Sequence, residues 1–342
     1  MNRCRRAAVL GAITVAMLFA GCTATTAPAP ANTGNATANS TTAPTPTPEV
    51  VSEPTIPFAG DCAQLLTDGQ LDDLLGAGWV PFEDQLLVWN PDRIPVAEPD
   101  ATGTLGGLTC AWWSEGEDEL EKLEVIVLPA ASVPADFVAD FSETRCDPSY
   151  DVTLCRLAAE VGDVWVMVTA GRDFTEPPAQ KLQATIDAVA ATAVDSFDGV
   201  SADVTEGWWP VPDCAVLFEA ISLQEIIGDY VNGYWEGNVQ PEETLLRDTG
   251  VQALCPASTN GDAPDGGHYI IMPSVYPGAA WHWDELAATE GMAPADIGGA
   301  SAGLSLAGVG FNALYATDGV NVVMMTLDKD EPVEVAHEIL ER

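Results

Sequence analysis

Basic residues are scarce in this chain. Twelve Lys and Arg stand against 52 Asp and Glu in 342 residues, a formal net charge of -40. A surface of that sign repels nucleic acid, teichoic acids and anionic lipid headgroups, so no nucleic-acid partner is expected. It attracts divalent cations or a basic partner, and it favours solubility at an exposed cell surface. Histidine is scarcer still: His268, His282 and His337 are the three, and none has H-E-x-x-H or a related spacing. No metal site and no cofactor are therefore expected. Asn260, Asp262 and Asp265 lack EF-hand spacing and a closing Glu. The acidic run Glu115, Glu117, Asp118, Glu119 and Glu121 is read as a solvated loop, with weak cation binding as the alternative. Beyond residue 22 no apolar run is long enough to cross a membrane.

The one long apolar run opens the chain. MNRCRR is a basic leader and AAVLGAITVAMLFA an apolar stretch of signal-peptide length. It ends Phe19-Ala20-Gly21-Cys22. This resembles the lipobox of bacterial lipoproteins, with Phe19 where that motif usually has Leu. The resemblance implies a signal peptide over 1–21, a lipidated Cys22 as the mature N-terminus, and anchorage at the extracytoplasmic face of the cell membrane. Cleavage as an ordinary secretory signal is the alternative. Loss of Arg3, Arg5 and Arg6 would leave nine basic against 52 acidic residues, a mature charge near -43. Residues 22–57, dominated by Thr, Ala, Pro and Asn, cannot bury enough surface to offset their ordering entropy and read as a disordered tether.

Of eight cysteines, Cys4 and Cys22 belong to the leader and the lipid site. Cys62, Cys110, Cys146, Cys155, Cys214 and Cys255 remain, an even number that outside the membrane reads as disulfides. Six cysteines allow 15 pairings, but an internal repeat selects one. GDCAQLLTDGQLDDLLG from Gly60 matches PDCAVLFEAISLQEIIG from Pro212 without gaps. TGTLGGLTC then matches RDTGVQALC, VIVLP matches YIIMP, GDVWVMVT matches GVNVVMMT, and EPPAQKLQATIDAVA matches EPVEVAHEILER. The order of five blocks marks a tandem duplication: a first repeat over 58–198, a linker over 199–211 and a second repeat over 212–342. Equivalence pairs Cys62 with Cys110 and Cys214 with Cys255. Cys146 and Cys155 have no counterparts and pair locally.

Within the first repeat, Leu65, Leu66, Leu71, Leu74 and Leu75 recur at helical spacing. Thr67 with Gln70 forms a capping box and Gly76 suits a helix end. In the second copy Ser222 with Glu225 takes the capping role. VIVLP and VWVMVT read as strands, PADFVADF and WHWDELAA as short helices, and 176–196 and 331–341 as closing helices. The fold class expected is α+β: two homologous domains, each a mainly antiparallel sheet packed by helices and stapled by a disulfide.

The pattern carried by Asp61, Cys62, Leu65, Leu66, Thr67, Leu74, Leu75, Gly76, Cys110 and Trp112 resembles small lipoproteins of the actinobacterial envelope. These form a domain family of unknown function with some likeness to extracellular sensor domains of kinases. The second repeat departs at Phe218-Glu219 and at Pro256 after Cys255. The resemblance implies a compartment and a fold, and no reaction.

Gly299-Ala300-Ser301-Ala302-Gly303 fits the G-x-S-x-G pattern, with Asp318 or Asp328 and His337 following in hydrolase order. A nucleophile elbow needs a hydrophobic strand before the serine and a helix after it, whereas GMAPADIG precedes Ser301 and small residues follow. A glycine-rich connection is the better reading. The aromatic pairs Trp112-Trp113, Trp208-Trp209 and Trp281 with Trp283 are a surplus. Adjacent strand residues face opposite sides, so both members of a pair cannot enter one core. Trp113, Trp208, Trp209 and Trp281 are the candidates for ligand stacking or for contact between repeats, with packing favoured because Trp is mostly buried. The sequence as a whole points to a non-catalytic, lipid-anchored binding or interaction protein whose ligand is a cell-wall component or an envelope protein. A serine hydrolase using Ser301 and a purely structural envelope protein are the alternatives.

Overall fold

Capping begins the first repeat as its sequence prescribes. The computed structural model describes residues 53–89, 97–115, 120–149, 152–172, 174, 176–232, 240–259, 270–308, 311–328 and 337. Residues 1–21 read as a signal peptide, Cys22, nearly all of the segment read as a tether, Glu117, Asp118, Glu119, Asn260, Asp262, Asp265, His268 and most of the expected closing helix 331–341 lie outside them. Asp61 accepts from the Ala63 N–H to start α1 (Cys62–Leu65). Thr67 and Gln70 exchange bonds in the expected capping box to start α2 (Asp68–Leu75), which ends at Gly76 with φ 79°. The five leucines of these helices are buried against one sheet.

That sheet comprises β1 (Val80–Pro81), β2 (Leu108–Trp113), β3 (Lys122–Pro129), β4 (Arg145–Ser149), β5 (Val152–Val161) and β6 (Val164–Arg172). Helices α3 (Phe82–Trp89), α4 (Ala101–Thr104), α5 (Ala135–Asp140) and α6 (Ala179–Ser196) intervene or follow. Every pairing is antiparallel and the order is β1-β2-β3-β6-β5-β4.

The second repeat runs α7 (Cys214–Ala220), α8 (Leu223–Ile227), β7 (Tyr230–Asn232), α9 (Pro241–Asp248), β8 (Ala253–Leu254), β9 (Ala257–Thr259), β10 (Ile270–Tyr276), α10 (Trp283–Ala288), β11 (Met292–Pro294), β12 (Ala302–Gly308), β13 (Phe311–Thr317) and β14 (Val322–Asp328). Its antiparallel order is β11-β12-β13-β14-β10-β9-β7, with β8 also on β10. Read from the β7 edge, this repeats the first sheet: β10, β14, β13 and β12 stand where β3, β6, β5 and β4 stand. β11 is an added edge. The protein is a disulfide-stapled α+β fold of two like halves.

Two details depart from the sequence reading. Ser222 precedes α8 in the left-handed region (φ 52°) and its side chain makes no capping bond; the backbone carbonyl accepts from the Glu225 N–H instead. The third block is displaced by four residues. Val125 lies opposite Cys110, and the Cys255 N–H bonds to the carbonyl of Pro273, which makes Pro273 the equivalent of Val125. Pro129 ends β3 and Pro277 follows β10; α5 and α10, each of six residues, begin at the same distance beyond those prolines. Apolar β-branched runs match each other at several registers, so only the ladder decides between them.

The three disulfides join the expected partners. Cys62–Cys110 ties the start of α1 to β2, and Cys214–Cys255 ties the start of α7 to the chain between β8 and β9, with Cα atoms 5.7 and 5.2 Å apart. Cys146 and Cys155 face each other across the β4–β5 ladder.

Strand alternation divides the core into three. Leu123, Val125, Val127, Val164, Val166 and Val168 face α1, α2 and α6. Ile271, Val275, Leu314 and Met325 face α7 and α8. The opposite faces meet in one continuous cluster: Ile126, Leu128, Trp165 and Met167 of the first sheet with Tyr276, Tyr315, Val322 and Met324 of the second. Phe137, Leu245 and Leu286 bring α5, α9 and α10 into it. Each sheet is thus covered by its own helices outside and by the other repeat inside.

Candidate functional site between the repeats

The shared core is bordered by polar contacts that each repeat makes on the other. Arg156 of β5 donates through Nε to Glu242 Oε1 (2.8 Å) and through a terminal nitrogen to Glu242 Oε2 (3.1 Å) and Gln240 Oε1 (2.8 Å). Thr169 of β6 donates to the same Glu242 oxygen at 2.8 Å. The Arg156 side chain is 2% exposed, so its charge is tolerated only because the start of α9 supplies a fork of acceptors.

The first repeat reaches the second in return. The Tyr315 hydroxyl donates to the Ala97 carbonyl (2.7 Å), and the Asp100 N–H donates to His282 Nδ1 (3.3 Å). That leaves the imidazole proton on Nε2, 3.1 Å from the Glu285 carboxylate. Trp281 Nε1 donates to Thr104 Oγ1 at 3.0 Å. Burial raises the Asp100 carboxyl above its ordinary value, opposed by the bond it accepts from the Gly103 N–H (2.6 Å). Burial, with Glu98 adding repulsion, raises the Tyr276 and Tyr315 phenols.

The linker closes the third side. Ser201 Oγ donates to the Leu105 carbonyl (2.8 Å), and the Ala202 N–H to the Thr104 carbonyl (3.0 Å). Gly199 and Gly106 approach too closely for any Cβ. Trp208 lies over Gly278, where a side chain has no room, and donates to the Gly250 carbonyl. Fully buried Asn321 holds the linker: its Oδ1 accepts from the Trp209 and Gly278 N–H groups and its Nδ2 donates to the Gly207 carbonyl (2.7 Å).

A cleft of about 400 Å³ opens between these parts. The first repeat gives it Thr104, Leu105 and Ala131 to Pro134, the linker Ser201, Ala202, Val204 and Trp208, and the second repeat Asp248, Thr249 and Val251. No Lys, Arg or His lines it. Asp248 is its one charged group, 3.8 Å from Arg247. The arrangement suits a ligand with an apolar face and no negative charge.

Of the four candidate tryptophans, Trp208 lines the cleft and Trp281 bridges the repeats beside it. Trp209 is 39% exposed next to Trp208. Trp113 stands apart, in a cluster with Phe82 and Trp89 on α3 (centroids 6.2 and 4.6 Å). Ser301 is exposed and immediately precedes β12, so a strand follows it rather than the helix an elbow requires. Asp318 caps the turn before β14, accepting from the Val320 and Asn321 N–H groups. Among the described residues no group of three His, Cys, Asp or Glu is placed to hold a metal, and no helix is long and apolar enough to cross a membrane. Thr104, Val133, Thr249 and Asn321 carry no motif, and sequence reasoning passed over them. The repeat was the signal that could have found the two threonines.

No family model and no curated protein sequence matches this chain. Among solved structures, the di-domain ARO/CYC BexL from the BE-7585A biosynthetic pathway aligns at 6% identity over 73% of this chain and 83% of that one, with a TM-score of 0.13. A likeness of that size bears on neither fold nor function.

Proposed function

We propose that this protein is a non-catalytic binding protein of the bacterial cell envelope. Lipidated Cys22 holds it at the extracytoplasmic face of the membrane, and the Thr/Ala/Pro-rich segment over 22–57 links that anchor to the repeats. The ligand occupies the cleft between the repeats. The observation that carries this reading is the cleft itself: both repeats and the linker contribute walls, and Trp208 adds an aromatic surface. Interfaces between like units commonly hold ligands. The N-terminal cysteine after Phe19-Ala20-Gly21 supports the anchor, and the resemblance to actinobacterial envelope lipoproteins supports the compartment.

The test is a thermal-shift screen of the full chain, disulfides intact, against neutral sugars, wall fragments, small aromatics, calcium and lipids. A ligand present at a hundredfold its dissociation constant adds about 2.7 kcal/mol of stability. The shift should vanish in Trp208→Ala. A shift that survives both Trp208→Ala and Ala202→Trp places binding elsewhere. Silence across the panel would discard the cleft as a small-molecule site.

A further inference from the structure

The two repeats do not fill their shared interface equally. Thr104 near the end of α4 and Thr249 after α9 are equivalent: each stands six places before the cysteine of its repeat. Each also bonds back to the carbonyl four residues earlier, Asp100 for Thr104 and Leu245 for Thr249, both at 2.9 Å. The structural register of β3 with β10 and of α5 with α10 makes Val133 the equivalent of Trp281. In one direction the interface is closed by Trp281, whose Nε1 donates to Thr104 Oγ1. In the other direction a valine stands where the indole would be, and Val133 and Thr249 both line the cleft.

We infer that the cleft is the imprint of the missing indole and takes a flat aromatic ring bearing an N–H. It rests on the reading of the cleft as a ligand site. The ring lies where the side chain of a tryptophan at position 133 would lie, and its N–H donates to Thr249 Oγ1. That hydroxyl uses its own hydrogen on the α9 carbonyls, at 2.9 and 3.0 Å, so its lone pairs face outward as those of Thr104 do. Leu105, Pro134 and Val251 supply apolar contact, and Trp208 supplies a second aromatic surface for offset or edge-on packing. The lack of any cation in the wall disfavours carboxylated rings. A free heterocycle and a tryptophan side chain of a peptide share this chemistry.

Indole is the probe, titrated calorimetrically into the full chain with its disulfides intact, beside N-methylindole, N-acetyltryptophanamide and glucose. Indole should bind, and N-methylindole about fivefold more weakly, the worth of one hydrogen bond. Val133→Trp should abolish indole binding and raise the melting temperature. Thr249→Val keeps the shape, so it should remove the difference between indole and its N-methyl form even if Val133→Trp fails to fold. Binding of N-acetyltryptophanamide at least as tight as that of indole assigns the site to a peptide tryptophan; weaker binding assigns it to a free heterocycle. Equal binding of indole and N-methylindole, or indole binding that persists in a stably folded Val133→Trp, overturns the inference. If glucose or a wall fragment binds in a Trp208-dependent way and indole does not, the cleft remains a ligand site and the ring is wrong. Silence from every probe discards both.

Discussion

Arg156 on β5 and Glu242 on α9 form a buried, two-pronged ion pair that joins the two repeats, with Nε 2.8 Å and a terminal nitrogen 3.1 Å from the carboxylate oxygens. Removing one partner strands the other charge in a site that water does not reach. Glu242→Ala should therefore destabilise the protein by about 3–5 kcal/mol, whereas Arg156→Met with Glu242→Met should cost far less. Urea denaturation of the three variants measures the difference. Equal losses in the single and double variants would mean the pair is not desolvated.

The shared core predicts one unfolding transition for both repeats. Trp165 is fully buried in it, and its Nε1 has no hydrogen-bond partner among the described residues. Trp165→Ala should cost about 3–5 kcal/mol, and Trp165→Phe much less, because it discards an N–H that is not bonded. Calorimetry should show a single endotherm in both variants. Two resolved transitions would show that the halves unfold independently.

Cross-links that close longer loops remove more entropy from the unfolded chain. Cys62–Cys110 spans 48 residues and Cys146–Cys155 spans nine. Replacing the first pair by Ala should cost about 4 kcal/mol and the second about 2.6 kcal/mol, with native strain able to lower either value. Denaturant midpoints on the two double variants check the order; a larger loss from the hairpin pair would contradict it.

Two phenols give the protein an alkaline limit. Tyr276 and Tyr315 have folded values raised above the ordinary 10.0 by burial. A raised folded value means stability that is fully present below the unfolded value and lost as pH climbs toward the folded one. Absorbance titration should show two tyrosines that stay protonated well above the ordinary phenol value and ionise only as the fold is lost. Ionisation of Tyr276 and Tyr315 near the ordinary value, with the fold intact, would refute the burial.

How much of this was legible beforehand depends on range. The Thr67–Gln70 box, Gly76 and the strands around Val125 and Val166 obey short-range rules, and their residues announce them. Cysteine pairing was legible too, because duplication turned a combinatorial problem into a comparison of equivalent places. Ser222 failed as a cap because α8 is entered through a left-handed residue, which no hydroxyl at that position foretells. Trp208 and Trp281 were visible as a surplus of aromatics, yet nothing local separated them from Trp113, which packs on α3 instead.

The amino-acid sequence by itself determined the charge, the duplication, the helix caps and the disulfide set, since each follows from composition or from neighbours a few places apart. Tertiary structure decided the register of the third block, the burial of Arg156 and the existence of the cleft. Strands covered on both faces are largely apolar. Buried along Val164–Gly171, with an unbroken apolar run from Val164 to Val168, β6 carries no alternation to say which side meets helices and which meets the other repeat. Arg156 finds its carboxylate 86 residues away. The cleft arises because Val133 stands where its equivalent is Trp281, and that difference becomes a space only when the two repeats are folded face to face.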